Sequence, residues 1–171
     1  MTGRPRLREL LDLLVAADVR FVVVGGLAVN AWGYLRGTLD ADIVPDPNPE
    51  NLSRLASLLE SLAGRVETAD GRLGAGAIRT FLAAGDRTLV ATEVGPVDVL
   101  QGLPQIPSFA LLDAGAVAVD LGGTTIRVCS LESLLDMKRA SDRPRDRDDL
   151  EALEAAHAPE ADPPTGGDGG A

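Results

Sequence analysis

Two aspartates one residue apart, Asp40-Ala41-Asp42, open the apolar run Ile43-Val44, and a glycine pair, Gly25-Gly26, closes the run Phe21-Val22-Val23-Val24 ahead of them. Residues i and i+2 of a strand share a face, with Cα atoms about 6.5 Å apart, so both carboxylates point the same way. Hard oxygen ligands at that spacing suit Mg²⁺, which takes one or two carboxylates and completes its shell with phosphate oxygens and waters. Like charges at the start of an apolar strand otherwise repel and require a counter-charge. The glycines let backbone approach a polyanion where a helix begins, with its unpaired N–H groups and partial positive charge. Simple turn chemistry would explain the glycines alone, and a solvated strand end the aspartates alone. Together they point to magnesium-dependent phosphoryl chemistry. The third glycine of a dinucleotide fingerprint is missing, which sets that reading aside.

A third carboxylate belongs on a neighbouring strand, and Asp98 in Val97-Asp98-Val99-Leu100 supplies one. An ordinary outward-facing position on an amphipathic strand fits Asp98 equally well by period, and Glu93 is the weaker competitor. Lys138 is the single lysine in a chain whose other cations are arginines, a bias typical of a GC-rich genome. It is either a compact point charge kept for a phosphate or a chance survivor on an exposed helix.

The elements that must position these residues follow from periodicity. Leucines at 7, 10, 11, 13 and 14 predict a helix over 7–17, and 21–24 a short buried strand. A short helix is expected over 27–34 and a strand over 40–44, stopped by Pro45-Asp46-Pro47. Asn48 starts a helix carrying leucines 52, 55, 58, 59 and 62, which Gly64 ends. The middle reads as strands at 77–83, 87–92 and 95–100. Gly122-Gly123 predicts a hairpin between 117–121 and 124–128. That stretch superficially matches the phosphate loop of actin-like sugar kinases, but too few residues follow Arg127 to build such a fold. Ser130 caps a helix over 131–140, Pro144 breaks the pattern, and a last helix spans 146–156. We expect one domain over 1–156 and a disordered Pro/Gly/Asp-rich tail over 157–171.

Composition narrows the class. The chain has 171 residues, 45% hydrophobic and 25% charged, as in globular proteins, with 3% aromatics, so Leu, Val, Ala and Ile must build the core. No apolar stretch reaches the roughly 18 residues of a membrane span, and no apolar segment follows the basic N-terminus as a signal peptide requires. The lone Cys129 fits a reducing cytoplasm. A net charge of −10 argues against a broad nucleic-acid surface.

Gly25-Gly26-x-Ala28 … Gly33-x-x-Arg36-x-Thr38-x-Asp40-x-Asp42 with Val97-Asp98-Val99 resembles the nucleotidyltransferase superfamily of the polymerase β type, most nearly the branch of AbiEii-type toxins. The segment from Leu131 to Leu150, with Lys138, Arg143, Asp146 and Asp149, is similar to the one closing those domains. The resemblance implies an α/β domain with a mixed central sheet flanked by helices. It implies transfer of NMP from an NTP with two Mg²⁺ ions, held by Asp40, Asp42 and Asp98. Gly25 and Gly26 would hold the β- and γ-phosphates, with Thr38, Lys138 and Arg143 facing the nucleotide. Arg36 would either meet the triphosphate or neutralise the aspartates. The acceptors implied are a tRNA 3′ end or a partner protein. An antibiotic acceptor remains open, although drug-modifying relatives usually carry an added helical domain. The rival reading is a non-catalytic nucleotide- or partner-binding module of a toxin–antitoxin pair, with a cognate partner chain. Leu27 stands where many relatives have a hydroxyl residue. Trp32 stands where many have histidine and is read as a packing anchor.

Overall fold

The computed structural model describes residues 5–141 and 143–158. Of the tail expected over 157–171, residues 159–171 lie outside the described residues. At the centre is β1 (Phe21–Val23), buried along its whole length. It pairs antiparallel with β2 (Ala41–Pro45) through Val22↔Val44 and Val23↔Ile43, and parallel with β8 (Thr125–Val128). The sheet is mixed and eight-stranded in the order β4-β3-β5-β6-β2-β1-β8-β7. The remaining strands are β3 (Arg65–Thr68), β4 (Gly71–Leu73), β5 (Thr88–Ala91), β6 (Val97–Val99) and β7 (Val117–Asp120). Among the described residues there are seven helices: α1 (Leu7–Ala16), α2 (Gly25–Ala31), α3 (Pro49–Ser61), α4 (Gly76–Ala84), α5 (Phe109–Gly115), α6 (Leu131–Ser141) and α7 (Pro144–Ala156). This is the α/β architecture that the sequence led us to expect.

Leucine stripes seat the outer helices, with Leu10 and Leu14 of α1 and Leu55 and Leu59 of α3 fully buried. Asn51, on α3, is buried and satisfied. It accepts from the Arg20 N–H at 2.7 Å and donates to the carbonyls of Arg20 and Asp46, both at 2.9 Å. It thereby ties the chain entering β1 to the chain leaving β2. The β7–β8 hairpin forms where Gly122-Gly123 placed it, with Asp120 Oδ1 accepting both glycine N–H groups at 2.9 Å.

One expected strand is a helix. The segment 77–83 forms α4, because Ile78 and Leu82, four apart, bury on one face while Arg79 hooks to Ser53, Ser57 and Glu60 of α3. Ile, Thr and Phe in that segment favour strands locally, and packing on α3 overrides the preference. The helix α5 and the hairpin β3–β4 were not anticipated. The latter is exposed over much of its length and carries little hydrophobic alternation. Pro144 starts α7 instead of breaking the pattern, since a residue without an N–H is well suited to the first helical turn.

Candidate active site

β1 ends at Val23, and the chain turns through Val24 directly into α2, placing Gly25 against Asp42 of the adjacent strand. Gly25 has φ +61°, and a Cβ there would lie 1.9 Å from Asp42 Oδ2. Only glycine satisfies both conditions. We expect Gly25→Ala to cost about 2–4 kcal/mol, the sum of left-handed strain and forced displacement of the carboxylate. Urea midpoints for Gly25→Ala, Asp42→Ala and the double variant check this. A double-variant cost well below the sum would show that the two positions contest one space.

Asp42 and Asp98 are register partners across the parallel β2–β6 ladder, so they stand side by side on one face, with Asp40 two residues along. Burial, then the charges of Asp40 and Asp98, push the Asp42 carboxyl up to about 6. The Gly26 N–H and the charge of Lys138 offset this only partly. Thr38 Oγ1 donates to Asp40 over 3.3 Å and packs over Gly26, whose added Cβ would meet it at 2.7 Å.

The cations are placed in ways spacing alone did not reveal. Arg36 forms a bidentate pair with Asp149 of α7, Nε to Oδ1 at 2.6 Å and Nη2 to Oδ2 at 2.8 Å, rather than closing on Asp40 or Asp42. Lys138 Nζ lies 2.8 Å from the same Asp149 Oδ2 and 2.6 Å from Asp146 Oδ1. Asp149 is fully buried, and burial alone would raise its carboxyl. Hydrogen bonds from Arg36 and Lys138 outweigh that effect and hold it below the ordinary carboxylate range. Arg87, which precedes β5, grips Asp98 with Nε at 3.0 Å from Oδ1 and Nη2 at 2.5 Å from Oδ2.

Gly25, Asp42, Arg87, Asp98, Lys138 and Arg143 line one cleft, whereas Gly26, Arg36, Thr38 and Asp40, also expected at the site, are not part of its wall. Arg143, at the start of α7, contributes an exposed guanidinium to its rim. Sequence reasoning missed the part played by Asp146, Asp149 and Arg87. The i, i+3 spacing of the first two places them on one helix face, and a lone lysine one helix earlier was a readable partner. Nothing local marked Arg87.

Trp32 is a packing anchor. Its Nε1 donates to the Cys129 carbonyl at 2.9 Å, and the His157 ring meets it edge-on with centroids 5.8 Å apart. Burial pushes the Cys129 thiol up to about 12, which leaves it chemically inert. No helix among the described residues is long and apolar enough to cross a membrane.

The donor set, three carboxylates beside backbone N–H groups, matches hard-cation chemistry. The acids do not form a finished cage: among the described residues, no group of three potential ligands is arranged to hold an ion.

No family model matches the sequence, and no curated protein matches it significantly. Solved structures do match. The lincosamide antibiotic adenylyltransferase LnuA, in its lincomycin-bound form, is similar at 18% identity with a TM-score of 0.64, over 88% of this chain and 96% of that one. ANT(2″)-Ia in complex with adenylyl-2″-tobramycin is similar at 16% identity and a TM-score of 0.54, over 88% and 86%. An antigenic nucleotidyltransferase-like protein from Paracoccidioides brasiliensis is similar at 18% identity and a TM-score of 0.58, over 86% and 72%. At these identities the likeness is one of fold, and the chain has the nucleotidyltransferase fold.

Proposed function

We propose that this chain is a magnesium-dependent nucleotidyltransferase that moves NMP from an NTP to a hydroxyl of a small-molecule acceptor. The reading rests on one juxtaposition: Asp42 and Asp98 in register, with Gly25 held bare against Asp42. Asp40, Asp42 and Asp98 would hold Mg²⁺, which supplies charge neutralisation for the phosphates and a more acidic acceptor hydroxyl. Gly25 leaves its part of the cleft wall free of a side chain, so the triphosphate can lie against backbone there. Lys138 and Arg143 face the same cleft and balance the phosphate charge, while the Arg36–Asp149–Lys138 network fixes the helices that carry them. The chemistry needs positioning and electrostatics and no covalent enzyme intermediate.

Two observations favour a small acceptor over tRNA or a protein. Net charge is −10, which repels nucleic acid. The match to LnuA spans 96% of that chain, so an adenylyltransferase named for a lincosamide needs no larger framework than this one. An added helical domain is therefore not a requirement for a small acceptor.

The test supplies each α-³²P-labelled NTP with Mg²⁺ to the protein, together with lincosamides, aminoglycosides, tRNA or cell extract. We expect label on a small hydroxylated compound. Label on tRNA or on a protein would move the acceptor to that class. No labelled product with any of the four nucleotides, and no rise in melting temperature with NTP and Mg²⁺, would end the enzymatic reading.

A further inference from the structure

The contact between Arg87 and Asp98 joins unequal partners. The Asp98 side chain is 6% exposed and the Arg87 side chain 47%. Among the described residues, every hydrogen bond to the Asp98 carboxylate comes from Arg87. A carboxylate buried beside a second carboxylate is costly to leave unpaired, so Asp98 needs a cation at all times. A half-exposed guanidinium at a strand end can turn into water at small cost, whereas Asp98 is fixed within β6 between Val97 and Val99, both fully buried.

We propose that Arg87 is a resident counter-cation for Asp98, which a divalent ion displaces when it enters the site. This inference rests on the metal-dependent reading above. Arg87 is then a positioning residue. It holds Asp98 in place, aligned with Asp42, while no ion is present, and it competes with the ion for the same two oxygens. The exchange is cation for cation, so Asp98 stays paired throughout. It also accounts for the lack of a finished three-carboxylate cage among the described residues, although strand register sets Asp42 beside Asp98.

Mn²⁺ alone, titrated into nucleotide-free protein and followed by the EPR signal of the free ion, tests this. Arg87→Gln removes the competitor and is expected to bind Mn²⁺ roughly tenfold more tightly than the wild type. Arg87→Lys keeps the charge but loses the two-pronged grip, so it should fall between them. In EDTA, Arg87→Gln should melt lower than the wild type and recover in Mn²⁺. Unchanged or weaker Mn²⁺ affinity, or a melting loss that Mn²⁺ does not recover, would show Arg87 to be only a structural brace. Should Arg87→Gln fail to fold, the Lys variant decides: tighter than wild type supports the exchange, and equal or weaker overturns it. Asp42→Asn separates this inference from the functional reading. If only the Arg87 inference is wrong, wild type binds Mn²⁺, Asp42→Asn loses it and the Arg87 variants match wild type. If wild type and Arg87→Gln both bind none, both readings fall.

Discussion

Asp42→Asn is expected to abolish nucleotidyl transfer, by on the order of 10³-fold or more, and yet to raise the melting temperature of the protein in EDTA at pH 7.5. The gain follows from the direction of the Asp42 shift. Its carboxyl sits at about 6 in the folded protein, pushed up by burial and by Asp40 and Asp98. In the unfolded chain it titrates near the ordinary value of about 4. Between those two values the folded protein keeps a proton that the unfolded chain has lost. Stability therefore falls as pH rises through that window, and the full cost is present above about pH 6. Two pH units correspond to roughly 3 kcal/mol as an upper bound. Asparagine carries no charge and can still accept the Gly26 N–H. A gain of about 2 kcal/mol, or ~4–8 °C for a domain of this size, is the expected result. The gap should close below about pH 4 and reverse at neutral pH when Mg²⁺ and NTP stabilise the wild type. Melting curves in EDTA from pH 4 to 8 measure it. An unchanged or lower melting temperature at pH 7.5 would show that the three acids do not strain the fold.

Asp149→Ala should be among the most destabilising single changes outside the apolar core, at about 3–5 kcal/mol. The fully buried carboxylate is shared between Arg36 and Lys138, and its removal leaves Arg36 without its carboxylate partner and Lys138 with Asp146 alone. Set against a typical total of roughly 5–15 kcal/mol, such a loss is a large share of the stability. The neighbouring Asp148 is exposed, and Asp148→Ala should stay within about 0.5 kcal/mol of wild type. The Asp149 carboxyl is held below its ordinary value, so its contribution is present above the unfolded pKa and is lost as pH falls through the folded one. The difference between wild type and Asp149→Ala in urea should accordingly shrink in acid. A difference under 1 kcal/mol at pH 7 would reduce the network to a geometric coincidence.

How far the site was legible depended on the distance over which its geometry is set. Asp42 lies on β2 where strand periodicity put it, while Asp40 stands one residue before the strand begins and still acts on Asp42 through its charge. Gly25 announced a close approach, and the structure supplies the neighbour, Asp42, that makes the approach obligatory. The helix α4 was misread because its residues favour a strand locally and only α3 beside them decides otherwise.

Asp98 shows where local signals stop. Its alternation within Val97-Asp98-Val99 allowed either face, and only the parallel register of β6 on β2 sets it beside Asp42. Arg36 had two anions in view from the sequence, the triphosphate and the Asp40/Asp42 pair. It took a third, Asp149, brought to it by α7 folding back across α6. Arg87 had no readable partner until the β5–β6 pairing placed Leu89 opposite Asp98 and the guanidinium two residues along. The sequence by itself determined the local ingredients: a bare turn followed by two carboxylates two residues apart, both readable over a few residues. Tertiary structure alone decided which cation holds which anion. Ion pairs between distant segments depend on strand register and helix packing, and neither is written in local spacing.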